Sequence, residues 1–166
     1  MNKDQESVSF RAPISADGAQ VHNLVANCPP LDTNSIYCNL LQCTHFASTS
    51  VAAEINQELA GFVSGYLKPE QPDTLFIWQV AVGEPARGRG LATRMLSHIL
   101  NRTDCQNVRW LETTITESNA PSWALFQSFA ASLDADIQSS VLFDKQTHFN
   151  DKHESERLVR IGPIGL

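Results

Sequence analysis

The sequence predicts an α/β (α+β) domain in which a central mixed sheet is flanked by helices. Three observations carry this. Segments with strand and helix character follow the order strand, two helices, three strands, helix, strand, helix, two strands. The run at residues 75–82 is apolar on both faces, as a strand covered from both sides is. A turn and a glycine-rich stretch then join that run directly to a helical segment.

Each element has a local reason. Residues 8–14 alternate and suit a strand. Asp17 can cap a short helix that turns Val21, Leu24 and Val25 inward, and Cys28-Pro29-Pro30 stops it. Residues 32–35 offer several N-caps for a second helix, in which Ile36, Leu40, Leu41 and Cys43 recur at helical spacing. Residues 51–55 and 59–67 read as strands joined by the turn Asn56-Gln57-Glu58. Residues 68–73, with Pro69 and Pro72, read as a loop before the central strand at 75–82. Residues 91–100 read as a helix and 108–115 as a strand. Residues 120–131 read as a helix capped by Asn119, with Pro121 in its first turn. Residues 139–143 and 158–161 read as closing strands around a polar loop.

Composition narrows the class. A chain of 166 residues is enough for one domain with a real core and too short for two ordinary ones, so a single domain over residues 1–166 is expected, with residues 1–6 as a flexible polar start. Hydrophobic residues at 42% and charged residues at 18% fit a globular chain and exclude a disordered one. A net charge of -6 argues against nucleic acid as a partner; it either serves solubility or mildly favours a cationic small substrate. Cys28, Cys38, Cys43 and Cys105 form no CxxC and no His lies at zinc-finger spacing, so reduced thiols in the cytoplasm and no metal are expected. The first residues lack the apolar core of a signal peptide, and no apolar run reaches membrane-spanning length, so no membrane partner is expected.

The chemistry concentrates in Val80-Ala81-Val82 and the loop Arg87-Gly88-Arg89-Gly90-Leu91-Ala92. Glycine lets backbone N–H groups approach an anion, and a helix start adds unpaired N–H groups with partial positive charge. Two arginines add full charge and forked donors. Such a loop can seat a pyrophosphate; the plainer reading is a surface turn with arginine for solubility. The P-loop pattern is missing, because no Lys follows Gly90, and the dinucleotide pattern is missing, because Thr93 stands where its third glycine would be. What remains is [RQ]xxGx[GA], as Arg87, Gly90 and Ala92, which resembles the acyl-CoA loop of the GNAT N-acetyltransferase superfamily. Residues 119–129, NAPSWALFQSF, resemble the second GNAT signature, and the element order is that of GNAT enzymes.

The resemblance implies the GNAT acyl-CoA N-acyltransferase fold, with a mostly antiparallel mixed sheet, and acetyl-CoA as cosubstrate. It places the cosubstrate along Val80, Ala81 and Val82, on Arg87, Gly88, Arg89, Gly90, Leu91 and Ala92, and beside Asn119, Ser122 and Phe126. Many GNAT enzymes have a tyrosine where this chain has Phe126, and phenylalanine cannot protonate a departing thiolate. Assistance is not obligatory, since a free thiol has a pKa of about 8.5.

Three further segments resemble the diaminobutyrate acetyltransferases of ectoine biosynthesis: residues 29–46, residues 76–80 and residues 147–156. The likeness runs from about Phe10 to the C-terminus. It implies L-2,4-diaminobutyrate as acceptor, acetylated on its γ-amine. Asp32 can pair with an ammonium, Thr33, Asn34 and Tyr37 can hydrogen-bond the amino-acid head, and Trp78 can wall the pocket or hold a cation. Taken alone, Asp32 or Asn34 reads as a helix cap, Trp78 as core, and residues 151–156 as a solvated loop. An alkyl ammonium has a pKa of about 10.4 and must lose a proton before it attacks a thioester. Glu154, Glu156 and His153 are the candidate bases, with Glu156 preferred. Backbone N–H groups on the strand can stabilise the oxyanion, and neither a metal nor an acyl-enzyme is required. Enzymes of this kind are often homodimers, so the resemblance implies one. The other readings are a GNAT enzyme for another small amine or a protein N-terminus, and a non-catalytic acyl-CoA sensor.

Overall fold

The computed structural model describes residues 6–165. In chain order the elements are β1 (Val8–Arg11), α1 (Gly18–Ala26), α2 (Ile36–Thr44), β2 (Val51–Ile55), β3 (Glu58–Lys68), β4 (Gln71–Val82), α3 (Leu91–Leu100), β5 (Trp110–Thr116), α4 (Ala120–Ser132), β6 (Asp136–Phe143) and β7 (Glu156–Gly162). The order is the one the sequence predicts. The strands follow β1-β2-β3-β4-β5-β7-β6, which places β4 in the middle, as its apolar faces require. β1/β2, β2/β3, β5/β7 and β6/β7 pair antiparallel, and β4/β5 pair parallel. The chain divides into two compact units, Met1–Tyr66 with Gln79–Gln106 and Leu67–Trp78 with Asn107–Leu166.

In the first unit, Val21 and Val25 of α1 and Cys43 of α2 bury with Cys28, Phe62 and Ala81, and Leu24, Leu31 and Leu59 close the cluster. α3 turns Leu91, Met95, Leu96 and Ile99 inward, one stripe of an amphipathic helix. Two local expectations change. The strand expected at residues 8–14 ends at Arg11, and Asp17 does not cap α1 with its side chain. Its carboxylate instead accepts from Arg11 Nη1 at 2.7 Å, Arg11 Nη2 at 2.8 Å and the Ile14 N–H at 2.8 Å. A charged fork outcompetes a single helix N–H for the same oxygens. At α2 the cap is Ser35, whose Oγ accepts from the Cys38 N–H at 3.1 Å.

In the second unit, Leu75, Ile77, Leu111, Ile115, Phe126, Phe129, Ala130, Val159 and Ile161 are buried. Glu112 is buried among them and takes Lys68 Nζ at 3.0 Å and Arg160 Nη1 at 3.3 Å, while Arg160 stacks 3.9 Å over Trp110. The loop expected at residues 68–73 shrinks to the turn Pro69-Glu70, and β4 begins at Gln71. Pro72 sits in the exposed start of that strand, where a missing N–H is tolerated. β6 is longer than expected and exposed along its whole length, Val141, Leu142 and Phe143 included.

The Arg11–Asp17 contact sets a pH dependence. Arg11 holds the Asp17 carboxyl below the usual carboxylate range, with the Ile14 N–H adding to the effect. A carboxyl depressed in the folded state stabilises above its unfolded pKa, and that contribution is lost as pH falls through the folded value. Asp17→Asn is expected to cost about 1.5–3 kcal/mol at neutral pH in urea unfolding, with the difference from the parent shrinking in acid. An equal deficit at pH 7 and pH 2 would refute the assignment.

Candidate active site

In the first unit the end of β4 feeds the glycine loop. Ala81 is buried and Val80 and Val82 are half-buried. The Gly83 N–H donates to the Ala60 carbonyl at 2.8 Å, and Glu84–Ala86 forms one 3-10 turn. Arg87 Nε folds back to donate to the Val82 carbonyl at 3.1 Å. Arg89 Nη2 donates to the Pro85 carbonyl at 3.2 Å, and its guanidinium also pairs with Glu6. Glu6 belongs to the start expected to be flexible; residues 1–5 lie outside the described residues. Gly88 has φ +78° and Gly90 φ +69°, and a Cβ on either would meet nothing within 4 Å among the described residues. Backbone conformation, not crowding, therefore calls for glycine at both positions. Gly90 begins α3 without a side-chain cap, so the first-turn N–H groups of Leu91 and Ala92 have no capping oxygen. Anion-binding donors, two cations and open space meet on one loop.

The irregular segment 27–35 links α1 to α2 and carries Asp32, Thr33 and Asn34, with Tyr37 following in the first turn of α2. Because Ser35 does the capping, the Asp32 and Asn34 side chains are not spent on it. Asp32 and Thr33 are exposed, and Tyr37 is 67% exposed. The segment is pinned to β4 twice. Cys28 Sγ donates to the Val82 carbonyl at 3.4 Å, and Gln79 Nε2 donates to the Asp32 carbonyl at 2.9 Å. Gln79 has no role in the sequence-based site; its signal was an amide in an otherwise apolar run. All four cysteines are free, and burial pushes the thiols of Cys38 and Cys105 up and that of Cys43 to about 11. Poorly ionised thiols do not suit nucleophilic roles.

In the second unit Trp78 is 41% exposed, unlike its buried neighbour Ile77, so it is not a core residue. Asn119 Oδ1 accepts from the Ser122 N–H at 3.3 Å, which is the cap the sequence predicts for α4. Trp123 Nε1 donates to the Thr116 carbonyl at 3.0 Å, and Phe126 is buried.

The acidic segment lies between β6 and β7. Asp144 folds its start by accepting from the Thr147 and Gln146 N–H groups, each at 2.9 Å, which lowers its carboxyl. Phe149 packs against His153 with ring centroids 4.5 Å apart. His153 Nδ1 lies 2.6 Å from the Glu154 carbonyl oxygen, which only accepts, so Nδ1 carries the hydrogen. The other ring nitrogen, Nε2, stands 4.0 Å from Glu156 Oε1. Glu154 Oε2 accepts instead from Ser118 Oγ at 2.7 Å. The three candidate bases therefore separate: His153 and Glu156 meet, and Glu154 turns to Ser118. Glu156 opens β7 opposite Thr116 of β5 and Phe143 of β6, with its side chain 20% exposed.

Among the described residues no group of three or more His, Cys, Asp or Glu side chains is placed to hold a metal, and no helix is long and apolar enough to cross a membrane.

Residues 19–130 match the acetyltransferase (GNAT) family. The chain is 59% identical over 157 residues, 95% of its length and 91% of the relative's, to the L-2,4-diaminobutyric acid acetyltransferase of Methylotuvimicrobium alcaliphilum. It is 51% identical over 152 residues, 92% of its length and 84% of the relative's, to the enzyme of that name from Vibrio parahaemolyticus. Its fold matches the diaminobutyrate acetyltransferase EctA from Paenibacillus lautus, solved in complex with its substrate L-2,4-diaminobutyric acid and coenzyme A. That match has a TM-score of 0.92 and 35% identity and covers 97% of this chain and 98% of the other. With both GNAT signatures on their expected elements, these likenesses show that the chain belongs to the acetyltransferase (GNAT) family and, within it, to the L-2,4-diaminobutyric acid acetyltransferases.

Proposed function

We propose that the protein transfers the acetyl group of acetyl-CoA to the γ-amine of L-2,4-diaminobutyrate, giving N-γ-acetyl-diaminobutyrate for ectoine biosynthesis. The observation that carries this is the likeness, over 97% of the chain, to an enzyme solved with diaminobutyrate and coenzyme A. The cosubstrate pyrophosphate is assigned to the N–H groups of Gly88, Gly90, Leu91 and Ala92 and to Arg87 and Arg89, and the thioester arm to Val80, Ala81 and Val82. Asn119, Ser122 and Phe126 are assigned to the pantetheine arm. Asp32, Thr33, Asn34 and Tyr37 are assigned to the amino-acid head, and Trp78 to the pocket wall.

Glu156 is the preferred base. Its side chain is less exposed than that of His153, at 20% against 35%, and His153 Nε2 is at hand to relay a proton outward. Glu154 is already engaged by Ser118. Glu156 takes one proton from the γ-ammonium, the amine nitrogen forms the C–N bond to the thioester carbon, the nitrogen gives its second proton to water as the C–S bond breaks, and coenzyme A leaves as thiolate. Phe126 supplies no proton, so the thiolate takes one from water. The exposed faces of β6 support the expected homodimer, and the free thiols support a cytoplasmic setting.

Three outcomes test this reading. Arg87→Ala and Arg89→Ala should each weaken acetyl-CoA binding by about 1.5–3 kcal/mol in calorimetry with the fold intact. Gly90→Val should bind worse still, through strain at φ +69°; unchanged affinity in all three removes the loop from the site. With thiol release followed against a panel of diamines, L-2,4-diaminobutyrate should give γ-acetylated product by NMR, and ornithine and lysine should be turned over about 10²-fold less well. Comparable turnover of lysine, or α-acetylated product, sinks the substrate assignment. Glu156→Gln should lower the rate about 10²–10⁴-fold, with partial recovery as pH approaches the amine pKa, and Glu154→Gln should be milder. The reverse order makes Glu154 the base.

A further inference from the structure

Gln79 is a buried amide at the centre of the sheet, 7% exposed. Its backbone N–H donates to Ser64 Oγ at 3.2 Å, which fixes the strand at that point. Its side-chain Nε2 donates to the Asp32 carbonyl at 2.9 Å, across 47 residues of chain. Its Oε1 is buried with no hydrogen-bond partner among the described residues. An amide buried with half its polar atoms unsatisfied is costly to fold, and an apolar side chain of the same length would fill the space without that cost. Stability alone therefore does not call for glutamine here. What the side chain supplies is one donor, aimed at the backbone of the residue assigned to the substrate's head.

The three residues after Gln79 are Val80, Ala81 and Val82, the stretch assigned to the thioester. The other pin on the same segment, Cys28 Sγ to the Val82 carbonyl at 3.4 Å, is a weak thiol donor. Asp32 thus sits on an irregular segment whose apolar residues Cys28 and Leu31 pack with Ala81 of the acyl-carrying strand, and whose polar tie to that strand at Asp32 itself is the Gln79 amide. A diamine with its head at Asp32 and its amine at the thioester must span the distance from segment to strand.

We propose that Gln79 is a positioning residue that sets the length of diamine the enzyme accepts, by fixing the Asp32 segment to β4. The inference rests on the substrate reading given above. Loosening that tie lets the head-group segment drift, so that longer diamines find a productive pose and the short one loses its advantage.

The test compares kcat/KM for L-2,4-diaminobutyrate and ornithine in the full-length protein and in Gln79→Met. The variant keeps volume and removes the donor. Its melting temperature and its affinity for acetyl-CoA should match the parent or better it, and the ratio of the two kcat/KM values should fall about tenfold, within what ångström-scale misplacement costs. The loss with diaminobutyrate should appear mainly in KM. A merely structural role would lower both substrates in parallel and leave the ratio intact, and that result overturns the proposal, as does an unchanged ratio with unchanged rates. Should Gln79→Met not fold, Gln79→Glu carries the same test, because a carboxylate facing the Asp32 carbonyl repels where the amide donated. If the parent itself fails to acetylate diaminobutyrate or to prefer it over ornithine, the substrate reading has failed and the role of Gln79 is not what failed.

Discussion

The last four residues of β4, Gln79 to Val82, join the core, the Asp32 segment and the glycine loop of the first unit. Ala81 lies in the core with Val21, Val25 and Phe62. The Val82 carbonyl receives both the Cys28 thiol and the Arg87 guanidinium. Gln79 holds the Asp32 segment and is itself held by Ser64. The glycine loop begins where this strand ends. This end of the strand lies beyond Thr74–Ile77, where β4 pairs with β5, and it is held by Ser64 and by the burial of Ala81 in the core. Loops tied to it share that anchorage, and a transferase that must index one reactant against another needs such a frame.

The parts legible in the sequence are those whose causes are local. The helix expected at residues 91–100 is α3, because Gly90 precedes it and four apolar residues at helical spacing define its buried stripe. Asn119 with Pro121 marked the start of α4 for the same reason. In residues Arg87 to Ala92, glycine, arginine and a helix start stand together in the chain, and the structure keeps them on one loop.

The parts that were not legible depend on partners far away. Asp17 looked like a cap until Arg11, itself shared with Glu54 across 43 residues, took its oxygens. Gln79 carried no message until Asp32 was seen above it. Glu154 and Glu156 were alike as residue types two apart; Ser118, 36 residues upstream, distinguishes one of them and His153 the other. Sequence proximity listed the candidate acids and bases; Ser118, on a distant segment, separates Glu154 from Glu156, which stays beside His153 of its own segment.

The make-up of the glycine loop bears on how the protein meets ionic strength. Its donors are of two kinds: backbone N–H groups at an uncapped helix start, and two guanidiniums, one already sharing its charge with Glu6. At about 1 M salt the Debye length is about 3 Å, so attraction acting across solvent fades while hydrogen bonds in direct contact persist. A phosphate on such a loop would therefore be drawn in more slowly as salt rises, yet released little faster. A loop built from lysines alone would lose on both counts. Main-chain donors, which carry no counterions to shed, let a cosubstrate site keep its grip in a concentrated electrolyte.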